Sequence, residues 1–86
     1  MTRDEHRAIF DEIAVELVKA DRHQANFASL HEAYAVILEE VDELWEIARL
    51  KRKDRSAAAI QKELVQIAAM AVKALHSMAS FVGGSV

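Results

Sequence analysis

The 86-residue sequence predicts an all-α protein: an antiparallel bundle of about three helices per chain, completed by dimerisation. Three observations carry that reading. Proline is absent and glycine occurs only at Gly83 and Gly84, so no strong helix breaker interrupts the first 82 residues. Apolar residues make up 52% of the chain and recur at three- and four-residue spacing, the period of an amphipathic helix. Residues that cap helix starts stand just ahead of each apolar run.

The first helix is expected over residues 3–20. Thr2-Arg3-Asp4-Glu5 is a capping box, and Ile9, Phe10, Ile13, Ala14 and Leu17 form its apolar face. Residues 21–28 read as a polar connector. Ser29-Leu30-His31-Glu32 is a second capping box and opens a helix expected over 30–53. Its seam is Leu30, Tyr34, Ile37, Val41, Leu44 and Ala48. Lys51, Arg52, Lys53 and Arg55 suit the negative end of that helix, although they also form a patch that attracts phosphate. Asp54 or Ser56 caps a third helix expected over 57–82, stopped by Gly83-Gly84. Its seam is Ile60, Leu64, Ile67, Ala71, Ala74 or Leu75, and Met78. Val65, Ala69 and Val72 form a second stripe on the opposite side. A helix apolar on two sides needs cover on both. Either the first helix supplies it or a second chain does, and the small size favours association as a homodimer or dimer of dimers.

Composition excludes several classes of function. Without cysteine there is neither a disulfide framework nor a Cys-based zinc site. A glycine-rich phosphate loop is impossible. A net charge of −3 argues against nucleic acid as a partner. No run of about 20 apolar residues predicts a membrane span, and the charged start MTRDEHRAIF does not resemble a signal peptide. A cytoplasmic protein is expected.

The chemistry lies in carboxylates on the wrong face. With Ile37 set at zero and about 100° per residue, Glu40 falls near −60°, inside the apolar sector, and Glu43 near −120°, at its edge. With Ile67 at zero, Glu63 falls near −40° and Gln66 near −100°. Glu39, Asp42 and Glu46 lie on the far side, where water is expected. A buried carboxylate costs several kcal/mol unless it is paired, protonated or bound to a cation. Two on neighbouring helices repel each other if both are ionised. A hard divalent cation such as Mg²⁺, with Mn²⁺ as a substitute, relieves both penalties. Interior salt bridges relieve them too, for example Glu63 to Lys73 or Glu40 to an arginine.

The stretch from His31 to Trp45, HEAYAVILEEVDELW, resembles the first metal helix of the MazG-like all-α nucleoside triphosphate pyrophosphohydrolases. The stretch from Lys62 to Ala71, KELVQIAAMA, resembles the second, as written in phage and actinobacterial members. The resemblance covers roughly residues 29–75. The family pattern is E-x-x-E, a variable spacer, then E-x-x-D. Glu40-x-x-Glu43 matches the first half and Glu63 begins the second; the final aspartate is Gln66 here. Glutamine offers a neutral carbonyl oxygen but no charge, so weaker metal affinity or lost activity is expected. The resemblance implies Mg²⁺-dependent hydrolysis of a nucleoside triphosphate to monophosphate and pyrophosphate. It assigns Glu40, Glu43 and Glu63 as catalytic metal ligands with Gln66 beside them. It also implies dimers or dimers of dimers.

Lys73, near −120° on the third helix, is a candidate for substrate phosphate or simply an exposed lysine. His6, His23, His31 and His76 show no metal spacing. Trp45 and Met70 and Met78 read as packing residues. Two other functions compete with hydrolysis. One is a helical oligomerisation or nucleotide-binding module that is catalytically weak or inactive. The other is a sensor that binds nucleotide without turnover.

Overall fold

A computed structural model describes residues 1–22 and 26–82. The start signals act as read. Thr2 Oγ1 accepts a hydrogen bond from the Glu5 backbone N–H at 3.1 Å, Ser29 Oγ from Glu32 at 3.1 Å, and Ser56 Oγ from Ala59 at 3.2 Å. Ser56, not Asp54, is therefore the third cap. The three helices are α1 (Arg3–Asp21), α2 (Leu30–Ala48) and α3 (Ala57–His76). Short 3-10 turns follow at Arg52–Asp54 and Met78–Ser80. The chain is all-helical, with no strand among the described residues. No helix among them is long and apolar enough to cross a membrane.

Two helices stop earlier than expected, for visible reasons. α2 ends at Ala48 rather than residue 53. Arg55 folds back and donates from Nη2 to the Ala48 carbonyl at 2.7 Å and from Nε to the Leu50 carbonyl at 3.2 Å. The guanidinium takes up carbonyls that a continuing helix would have used. α3 ends at His76 rather than residue 82. Ser77 Oγ donates to the Lys73 carbonyl at 2.7 Å, and the chain tightens into i→i+3 bonds, Ser80 N to Ser77 O and Phe81 N to Met78 O. The Gly83-Gly84 stop and His23 lie outside the described residues.

Both α1 and α2 pack on α3, which is the central helix. Glu43 faces Glu63, and four residues later Ile47 faces Ile60, so α2 and α3 run antiparallel. The helices are rotated from their expected seams. α2 presents Ala33, Ile37, Glu40 and Leu44 inward, while Leu30, Tyr34 and Val41 are exposed. α3 turns Leu64, Ala71 and Leu75 outward and buries Glu63, Ala69 and Lys73, and Met78 in the following turn is exposed as well. α1 packs along the stripe opposite Ile67 without closing it: Val65 lines a groove with Val15 of α1, Gln61 Nε2 donates to Glu12 of α1 at 2.7 Å, and Val72 stays exposed. On α1 itself only Ile13 and Leu17 of the expected face are half-buried, and Ile9, Phe10 and Ala14 are exposed.

The connector between α1 and α2 holds a core residue that its polar neighbours conceal. Phe27 is 3% exposed. Its backbone N–H donates to Ser77 Oγ at 2.9 Å, and the Lys73 ammonium sits 4.6 Å from its ring centroid, a cation–π contact. Phe27, Lys73 and Ser77 thus tie the connector to the end of α3. Replacing Phe27 by alanine is expected to destabilise the fold by about 3 kcal/mol. Ser77→Ala, which strands the buried Phe27 N–H, is expected to cost about 1–2 kcal/mol. Urea unfolding midpoints of the two variants check both values and their order.

Candidate metal centre

The register of α2 on α3 sets three carboxyl groups against one another. Glu40 and Glu43 stand one turn apart on α2, and Glu63 faces them from α3. One carboxylate oxygen from each lies within 4.8 Å of the other two. Glu63 is 7% exposed, Glu40 is half-buried and Glu43 opens to solvent. Among the described residues, the ion pairs are Glu16 with Lys19 and Glu46 with Arg49, so neither Glu40 nor Glu63 has a lysine or arginine partner there. The salt-bridge alternative fails: the Lys73 ammonium rests on Phe27 instead. Glu40 Oε2 and Glu63 Oε2 are buried without any hydrogen-bond partner.

Electrostatics follow from that crowding. The Glu40 carboxyl is pushed up from 4.5 to about 7 by burial first, then by a hydrogen bond to Glu63 and by the negative charges of Glu43, Glu63 and Glu39. Such a hydrogen bond needs a proton on one of the two carboxyls, since an ionised carboxylate only accepts. Glu43 is raised as well, chiefly by its hydrogen bond and charge interaction with Glu63, with Lys62 pulling the other way. A proton can relieve the cluster; so can a cation. The donor set is all oxygen, the preference of Mg²⁺, Mn²⁺ and Ca²⁺. Two buried oxygens lack a hydrogen-bond partner, and the 4.8 Å limit on the spacing of one oxygen from each of the three carboxyls is close to the span of about 4.2 Å across an octahedral Mg²⁺ shell. The residues fit a hard divalent ion.

The other expected site residues are placed differently. Gln66 lies beside Glu63 in sequence, but its Nε2 donates to Glu16 of α1 at 3.4 Å. Its amide nitrogen is thus engaged with α1, away from the carboxylates of α2. Lys73 is 8% exposed, so it is not the solvated lysine the sequence allowed. Ten residues separate it from Glu63, about 15 Å of helix rise. With its ammonium on Phe27 it secures the connector. Lys62 had no assigned role, yet it is a cation that acts on Glu43. Its position next to Glu63 was the available signal. It also borders a groove of about 460 Å³ between α1 and α3, together with Glu12, Val15, Glu16 and Gln61. None of the three glutamates lines that groove.

No family model, no curated protein and no solved structure matches the chain.

The raised Glu40 carboxyl sets a pH dependence. Unfolded, it titrates near 4.5; folded, near 7. Below pH 4.5 both states hold the proton. Between 4.5 and 7 the folded state alone holds it, so metal-free stability falls as pH rises, and the loss is complete above 7. The melting temperature of the metal-free protein is expected to drop across that window. Glu40→Gln should flatten the slope, and Mg²⁺ should stabilise more at pH 8 than at pH 5, because metal and proton compete for the same oxygens.

Proposed function

We propose that this chain is a Mg²⁺-dependent nucleoside triphosphate pyrophosphohydrolase of the MazG-like kind, releasing a nucleoside monophosphate and pyrophosphate. The observation that carries the reading is the group of Glu40, Glu43 and Glu63, within 4.8 Å of one another, with two buried oxygens that have no partner. Glu40, Glu43 and Glu63 would hold the ion. Bound there, Mg²⁺ would neutralise phosphate charge and polarise the attacking water. The chain's own contribution is positional. α2 sets two carboxylates one turn apart, α3 sets the third against them, and the absence of a paired lysine or arginine among the described residues leaves them open to a cation. Lys62 adds positive charge beside Glu43, where a phosphate held by the cluster would also lie. Homodimers or dimers of dimers and a cytoplasmic setting belong to the same reading.

Gln66 favours a second reading. Its amide is engaged with Glu16, and it brings no charge to the cluster, so a fourth carboxylate ligand is missing. A MazG-like module that binds metal and nucleotide with weak or no turnover follows from that deficit.

Pyrophosphate release from a panel of ribo- and deoxyribonucleoside triphosphates, with Mg²⁺ or Mn²⁺, separates the two. Under the first reading, Glu40→Ala and Glu63→Ala each lower the rate by at least about 100-fold and abolish Mn²⁺ binding by calorimetry. Mn²⁺ binding without pyrophosphate from any nucleotide sinks the enzyme reading and leaves the second. No metal binding at millimolar concentration sinks both. Gln66→Asp, which adds a negative charge one turn from Glu63 and removes the amide bonded to Glu16, is expected to tighten Mn²⁺ binding.

A further inference from the structure

A buried cation lies about 15 Å along α3 from Glu63. Lys73 is 8% exposed, and its ammonium rests 4.6 Å from the Phe27 ring centroid. A ring face takes up one side of an ammonium, which carries three N–H donors. The ion pairs among the described residues are Glu16 with Lys19 and Glu46 with Arg49, so Lys73 has none there, and no oxygen among them accepts from its ammonium. The ammonium is not sealed in either, because the enclosed side-chain atoms without a partner are oxygens of Glu40 and Glu63. A buried charge that is neither paired nor hydrogen-bonded is costly and needs an explanation. Lys73 forms part of the wall of a cavity of about 230 Å³ at the ends of α1 and α3, together with Leu17, Asp21, Val72 and His76.

The walls define what fits. Sites for drug-sized ligands occupy about 300–1,000 Å³, so this one suits a molecule of a few carbon atoms. One ammonium balances one negative charge. Asp21 stands in the same wall, and both helices end here with their partially negative carbonyls. Both features weaken anion binding, and a doubly charged phosphate suffers most. His76 offers at least one ring N–H in either charge state, a donor for the second oxygen of a carboxylate. Leu17 and Val72 add apolar surface beside these groups. We infer that this cavity binds a small monocarboxylate with an apolar body, its carboxylate on Lys73 and His76 and its hydrocarbon part against Leu17 and Val72. The site is separate from the three glutamates and stands whether or not the chain hydrolyses nucleotides. A ligand there also strengthens the tie between connector and α3, since Lys73 holds Phe27.

Isovalerate is the probe, titrated into the full chain while the methyl resonances of Leu17 and Val72 are followed by NMR. Saturable binding at about 1–10 mM is expected of a ligand this small, and the melting temperature should rise with isovalerate concentration. Lys73→Met removes the charge but also loosens Phe27, so the exposed positions Asp21 and Val72 carry the test. Asp21→Asn is expected to tighten binding at least about threefold by removing a like charge. Val72→Trp, which fills the cavity, is expected to weaken it at least about tenfold. No saturable shift at about 100 mM isovalerate overturns the inference. So does inorganic phosphate that binds as tightly, or isovalerate binding unaltered by Val72→Trp. Displacement of isovalerate by a nucleoside triphosphate with Mn²⁺ overturns it too, because Lys73 then belongs to the substrate site. Mn²⁺ titration of the same samples reads the three glutamates independently, so a failed cavity and a failed metal site give different results.

Discussion

Mutual repulsion among three carboxyl groups is the constraint around which α2 and α3 are arranged. Glu40, Glu43 and Glu63 occupy the place where apolar side chains would ordinarily close a helix–helix seam. Burial disfavours the ionised form, and each neighbouring charge disfavours it further. Lys62 offsets part of it at Glu43, but no lysine or arginine among the described residues pairs with Glu40 or Glu63. Other cations are engaged elsewhere in the fold: Lys73 with Phe27, and Arg55 with the carbonyls that end α2. A site kept acidic at the expense of its own stability is a familiar feature of functional centres, where local strain is offset by the rest of the fold.

The rest of the fold offsets it sparingly. The buried apolar residues among those described are Phe27, Ala33 and Ala69. Two are alanines, which let the backbones approach closely but contribute little apolar area. The Phe27–Lys73–Ser77 contact therefore matters beyond its size, because it closes the connector onto α3 near the far end from the carboxylates. α1 adds polar contacts through Gln61 and Gln66 rather than deep packing. The α2–α3 pair thus has an acidic side and an apolar side.

Much of this was legible in the residues. Thr2, Ser29 and Ser56 marked the helix starts, because N-capping depends on side chains within one turn. Helical phase was enough to place Glu40 and Glu63 on inward faces, because the period of an α-helix is constant. The helix ends were not legible. Arg55 ends α2 by reaching back seven residues, and Ser77 ends α3 while bonded to Phe27, 50 residues away; no local pattern encodes either contact. Phe27 was hidden for the same reason, as a single aromatic in a polar stretch whose burial depends on the distant end of α3.

By itself the sequence determined that the chain is helical, where each helix begins, and which carboxylates point inward, since all three depend on local periodicity and capping. Tertiary structure alone decided the rotation of the helices about their axes. That rotation brought Glu43 to the pair formed by Glu40 and Glu63, turned the Gln66 amide to α1, buried Lys73 and left Tyr34 and Trp45 facing outward. The physical reason is that amphipathic faces here are wide, so several rotations bury similar apolar area. The choice among them rests on contacts between residues far apart in the chain.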